Sequence, residues 1–132
     1  MIEEADFLTT ESDDIIISAR QTLVSEDSSS NLWGYYFCIE NQSDEKIQLV
    51  GKDWNITDDR GNHYQDSSAG FNGELPDLAP GEYFEFTSMA PLASENAVFY
   101  GSCKIAENNT VKEFKIPTLS FAKKQLKNPV IN

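Results

Sequence analysis

Positive charge is scarce in this chain. Of 132 residues only 10 are Lys or Arg, against 22 Asp and Glu, for a net charge of −12. Binding DNA or RNA needs a basic footprint to displace counterions, so no nucleic-acid partner is expected. Histidine occurs once, as His63. A zinc site or a histidine-based triad needs further ligands or a nucleophile at defined spacing, and none is spaced to serve it. No apolar run approaches the ~20 residues of a membrane helix. The opening MIEEADFLTTESDD has neither the basic nor the apolar region of a secretory signal. The expected setting is therefore the cytoplasm, with no membrane partner. Cysteine is limited to Cys38 and Cys103. With Trp54 between them they mimic an immunoglobulin Cys…Trp…Cys pattern, but a reducing compartment predicts two free thiols. No segment carries a 3.6-residue period, and neither internal repeats nor an interdomain linker are visible.

What is abundant is aromatic side chains and turn residues. Eight Phe, five Tyr and two Trp can fill the core of one domain of this length without a disulfide or metal staple. In LWGYYFCIE, Trp33, Tyr35, Phe37 and Ile39 alternate with Gly34, Tyr36, Cys38 and Glu40. A period of two marks a strand with one face in the core. Further strands are predicted over Asp14–Arg20, Ile47–Thr57, His63–Gln65, Glu82–Ala90, Ala97–Ala106 and Val111–Phe121. They are separated by turns at NQSDEK, at Asp58-Asp59-Arg60-Gly61-Asn62 and at Glu107-Asn108-Asn109, where Asn, Asp and Gly suit tight reversals. Roughly seven short strands at this spacing predict an all-β fold, an antiparallel β-sandwich of fibronectin type III or immunoglobulin-like form. The domain is placed at 14–122. Before it stands an acidic arm, 1–13, and after it a basic tail, 123–132, with Lys123, Lys124 and Lys127.

The blocks YYFCIEN, LVGKDWNITDDRGN, GFNGELPDLAPGEYFEFTS, FYGSCKI and FKIPTLSFA, in this order, span Ile15 to Ala122. In these blocks the chain resembles the ApaG family, also called CorD or DUF525. The resemblance implies a fibronectin-type-III-like sandwich and brings no enzymatic activity with it. Family members also occur as domains of F-box proteins, which implies protein recognition, and bacterial members have been tied to cobalt and magnesium balance.

The sharpest candidate site is the loop Ser68-Ala69-Gly70-Phe71-Asn72-Gly73. It matches a GxGxxG that the resemblance associates with pyrophosphate or nucleotide binding, except that Ser68 replaces the first glycine. A true phosphate fingerprint opens a helix, whose N-terminal amides hold the anion. ELPDLAPGE follows Gly73, and proline keeps it from being a regular helix. Loop geometry, with Gly70 and Gly73 at positive φ, is the plainer reading. Phe71, between two glycines, is a candidate for an exposed anchor for a partner. Asp58–Asn62 lacks the alternating ligands of a calcium loop and reads as a hairpin turn. Trp54 reads as core. No catalytic or metal residues and no cofactor are assigned. The sequence thus predicts a non-enzymatic interaction module, a monomer or homodimer, with Ser68, Gly70, Phe71 and Gly73 as the ligand-binding candidates. Its partner is an unidentified protein, with a phosphate-containing small molecule or a divalent cation as the alternative.

Overall fold

The computed structural model describes residues 7–22, 32–71, 73–91, 94 and 96–122. The first residues of the acidic arm, the serine-rich connection after Val24 and the basic tail lie outside them. Ten strands, and no helix among the described residues, build two antiparallel sheets. The strands are β1 (Leu8–Ser12), β2 (Ile15–Thr22), β3 (Leu32–Asn41), β4 (Ile47–Asp58), β5 (His63–Asp66), β6 (Asp77–Leu78), β7 (Tyr83–Pro91), β8 (Asn96–Glu107), β9 (Thr110–Lys115) and β10 (Leu119–Ala122). The first sheet has the order β1-β2-β3-β7. In the second, β4 and β8 pair along nearly their whole length. Each then carries two short partners on its outer edge: β5 and β6 on β4, β10 and β9 on β8. The predicted sandwich is present.

Three features depart from the sequence reading. Leu8–Ser12, expected in the acidic arm, is a strand hydrogen-bonded to β2. Its residues are mostly exposed, so no alternation of apolar side chains announced it. Asp77–Leu78 pairs with the start of β4. The strand expected over Val111–Phe121 breaks at Ile116-Pro117-Thr118, where proline cannot donate to a ladder. The Asn108-Asn109 turn stands as expected, with φ of 52° and 66°, the left-handed pair that joins closely spaced strands.

The pairing of β4 with β8 shifts register between Leu49 and Gly51. This bulge reverses the phase of β4. Before it Ile47 and Leu49 face inward; after it Lys52, Trp54 and Ile56 do. Opposite Trp54 sits Gly101, where a Cβ would lie 2.0 Å from the Asp53 carbonyl oxygen. Only glycine permits so close a backbone approach. The core between the sheets is largely aromatic. Trp54 stacks on Phe37 with centroids 4.7 Å apart and meets Phe86 and Phe99 edge-on, while Trp33 stacks on Phe121 at 5.0 Å. Such pairs add about 0.5–1.5 kcal/mol each beyond the area they bury.

One polar side chain is fully buried at the end of β3. Asn41 Nδ2 donates to the carbonyls of Glu45 (2.8 Å) and Leu78 (3.0 Å), and its Oδ1 accepts from Ser43 N and Oγ. It thereby fastens the NQSDEK turn to β6. Asn41→Leu keeps the approximate volume but orphans both carbonyls. It should lower unfolding free energy by about 2–3 kcal/mol in urea titration.

Candidate functional site

The glycine loop lies between β5 and β6, along the edge of β4 that those two short strands leave uncovered. Backbone bonds stitch it there: Lys52 N–H donates to Ser68 O, Gly70 N–H to Val50 O and Leu49 N–H to Pro76 O. The loop then closes on itself. Phe71 N–H donates to Glu74 O at 2.8 Å and Glu74 N–H returns a bond to Phe71 O at 3.0 Å. Gly70 and Gly73 have φ of 75° and 85°, as expected. At Gly70 a side chain is also blocked, since a Cβ would stand 2.6 Å from Glu74 O.

Phe71 corrects the expectation of an exposed anchor. Its side chain is fully buried, edge-on to Trp54, Phe84 and Phe86. The two glycines let the chain fold the ring back into the sandwich, where it plugs the space between the sheets.

The residue that sequence reasoning missed is Lys52. Its side chain is almost wholly buried. Its Nζ donates to Ser68 Oγ and to Gly70 O, both at 2.9 Å, and stands 3.7 Å from Asp66 Oδ2. Beneath it lie the rings of Phe71, Trp54 and Phe86, with centroids 5.3–5.9 Å from the ammonium. Two of its donors are therefore hydrogen-bonded, its charge is compensated by Asp66 at ion-pair distance, and the aromatic faces add cation–π attraction. Partial burial pushes the Asp66 carboxyl upward. Hydrogen bonds from the Ser68 side chain and backbone, with Lys52 beside it, outweigh that and hold it below the usual carboxylate range. A signal for Lys52 existed: it shares the parity of Trp54 and Ile56.

This arrangement differs from a phosphate cradle, in which several free amides converge on one point. Here the amides of Ser68, Gly70, Phe71 and Glu74 all donate within the protein. Ser68, at the place of the missing glycine, spends its hydroxyl between Lys52 and Asp66. Of the four candidates, Ser68, Gly70 and Phe71 are joined through Lys52, whereas Gly73 caps the outer turn with open space around it.

The remaining candidates resolve simply. Asp58 Oδ1 accepts the N–H groups of Arg60 and Asn62 and Oδ2 accepts Asn62 Nδ2, so the acidic segment is the expected hairpin turn. His63 Nε2 lies 3.0 Å from Asn55 Oδ1 on the exposed face of the second sheet. Cys38 and Cys103 are free. Burial pushes the Cys103 thiol up to about 12, against smaller opposing effects of Trp54 and Lys52. Among the described residues no three His, Cys, Asp or Glu side chains are placed to hold a metal ion, and no helix is long and apolar enough to cross a membrane.

The model of the ApaG domain matches residues 21–107. The chain belongs to the ApaG family. Protein ApaG of Beijerinckia indica is 41% identical over 96 residues, covering 72% of this chain and 74% of that one. Protein ApaG of Allorhizobium ampelinum is 33% identical over 113 residues, covering 83% and 86%. The X-ray structure of the structural-genomics target SoR45 superposes with a TM-score of 0.80 over 93% of this chain and 97% of that one, at 22% identity. That likeness is one of fold. In this ApaG domain the glycine loop closes one side of the sandwich, and its central aromatic belongs to the core.

Two substitutions test that description. Phe71→Ala should cost about 3–5 kcal/mol in denaturant titration, the range for emptying a buried phenylalanine site. Lys52→Met should cost roughly 1–2 kcal/mol at neutral pH by orphaning the Gly70 carbonyl. It should also change the acid profile. Asp66 has a depressed folded pKa, so its contribution is present above its unfolded pKa of about 3.9 and lost as pH falls through the folded value. Without Lys52 the depression shrinks. Thermal melts from pH 6 down to pH 2 should show a shallower acid loss in the variant than in the wild type.

Proposed function

We propose that this ApaG domain acts by binding another protein, without catalysis. The observation that carries the reading is the division between its polar and its accessible parts. The Lys52 ammonium, the Ser68 hydroxyl and the amides of Ser68, Gly70, Phe71 and Glu74 are engaged within the protein, while among the described residues β7 ends its sheet with one edge unpaired and with Tyr83 and Met89 exposed on it. An unpaired strand edge with apolar side chains is a recognised template for association. Among the described residues His63 has no nucleophile or carboxylate partner in its hydrogen bonding. Both thiols have raised pKa values, chiefly through burial, which leaves little thiolate for nucleophilic chemistry at neutral pH. A bearing on cobalt or magnesium balance would, on this reading, run through the partner.

Pyrophosphate or nucleotide binding at the loop has less support, because it would require breaking the Phe71–Glu74 pair or the Lys52 contacts. Ligands that bind only the folded state raise its stability by RT ln(1 + [L]/Kd). Melting in about 1 mM pyrophosphate, ATP, MgCl₂ or CoCl₂ should leave Tm within about 1 °C. Affinity capture with the full chain, followed by reconstitution from purified components, should give a saturable complex of fixed stoichiometry. A reproducible rise of several degrees with pyrophosphate, and no such complex, would reverse the preference.

A further inference from the structure

The register of β7 shows which of its backbone groups are free. Asn41 N–H donates to Glu82 O, and Asn41 lies one step beyond the Glu40–Tyr83 pair. Glu82, Phe84, Phe86, Ser88 and Ala90 therefore turn their amides and carbonyls toward β3. Tyr83, Glu85, Thr87 and Met89 turn theirs away from it, by the alternation of an antiparallel ladder. No hydrogen bond among the described residues uses those outward amides. On the opposite sheet the facing edges are the short strands β5 and β6, so among the described residues this side of the sandwich is open along β7.

Two depressions flank that edge. At one end a shallow groove of about 470 Å³ is lined by Glu74, Pro76, Asp77, Leu78, Glu82 and Tyr83, among others. At the other end a smaller one of about 180 Å³ is lined by Tyr64, Asp66, Met89 and neighbouring core residues. Glu74, Asp77 and Glu82 line the first, the second holds only Asp66, which is paired with Lys52, and among the described residues neither has a lysine or arginine in its wall. Exposed Leu75, Tyr83, Tyr64 and Met89 stand beside them.

From this we infer that β7 is a docking edge for a basic, extended peptide segment of a partner protein, added as a further strand beside Tyr83–Met89. The inference rests on the protein-binding reading above and names its face and the chemistry of its partner. Strand addition supplies main-chain hydrogen bonds, and alternate side chains supply specificity. Here those side chains are Lys or Arg, facing Glu74, Asp77 and Glu82, with their apolar stems and neighbours against Tyr83, Tyr64 and Met89. A metal ion fits less well, because the carboxylates are strung along the edge and no three metal-capable side chains converge among the described residues. A second copy of the chain fits less well too. It would bring together two molecules each at −12, and like net charges oppose association.

The test uses the full chain and fluorescein-labelled, end-blocked octapeptides read by anisotropy: alternating Lys-Val, alternating Glu-Val, and Lys-Val with alternate amides N-methylated in both registers. The Lys-Val peptide should bind at least about tenfold more tightly than the Glu-Val peptide. N-methylation should remove binding in one register, since it deletes the hydrogen bonds and keeps the charge. Thr87→Pro should weaken binding about tenfold or more, because its amide faces away from β3 and its loss costs no existing ladder bond. Should that variant fold poorly, Asp77→Lys/Glu85→Lys reverses charge at exposed sites and should do the same. Equal affinity for the Lys and Glu peptides, or indifference to N-methylation in both registers, overturns the inference. So does a wild-type dimer in sedimentation that Thr87→Pro dissociates, which would make the edge a self-pairing one. A reconstituted partner complex that survives both variants would leave the binding reading standing and move its face elsewhere.

Discussion

The bulge between Leu49 and Gly51 is the constraint on which the rest of this domain depends. Strand residues alternate faces, so one extra residue reverses everything that follows it. Without that reversal Trp54 and Ile56 would point to solvent and Asp53 and Asn55 to the core. With it, Trp54 reaches the stack with Phe37 and the edges of Phe86 and Phe99, and Lys52 is carried inside beside it. The same stretch of β4 faces Gly101 across the ladder, where no side chain fits. The strand can therefore lie close to β8 only in this register.

Carrying Lys52 inward has a cost and a use. A buried ammonium loses hydration worth several kcal/mol, which is recovered only if its donors are satisfied and its charge is compensated. Ser68 and Gly70 accept hydrogen bonds from it, Asp66 balances its charge, and three aromatic faces provide a favourable electrostatic floor. Two of those partners, Ser68 and Gly70, belong to the glycine loop, and so the loop is held to β4 by the requirement that a buried cation be paired. Phe71 follows from that position. Once Gly70 is anchored under Lys52, the next side chain can only turn into the space beside Trp54. Ser68, read as a defect in a phosphate motif, is the hydroxyl that completes the lysine's coordination.

Much of this was visible in the residues themselves. Alternation at Trp33–Ile39 located a central strand, and Asp58–Asn62 and Asn108–Asn109 announced their hairpins because their side chains and φ preferences make turns locally. The core role of Trp54 followed from parity with Ile56. What could not be read was whatever depends on a distant partner. Leu8–Ser12 becomes a strand because β2 offers it an edge, not because its own side chains alternate. Pro117 divides the last predicted strand, yet where the chain resumes pairing depends on β8. Phe71 in a loop between glycines is compatible with solvent or core, and only the fold of the loop onto β4 decides. Asn41 looked like one of several turn residues until its four hydrogen bonds placed it in the interior.

The two open sides of the sandwich are finished differently. On one side Thr10 Oγ1 donates to the Lys115 carbonyl at 2.7 Å and Lys112 pairs with Asp13, so β1 and β9 are sutured across the gap between the sheets. On the other side the interior is sealed by Phe71 against Phe84 and Phe86, while among the described residues the backbone edge of β7 is left unmatched. Natural sheets commonly blunt such edges with proline, an inward charge or a cover. Proline reaches β7 only at its last residue, Pro91, and the charges nearby are carboxylates beside the edge, not lysines on it. An edge guarded by one sign of charge repels copies of itself and attracts the opposite sign. In a chain this short of lysine and arginine, the carboxylates that would keep two copies apart are the ones that would draw a basic segment to the edge.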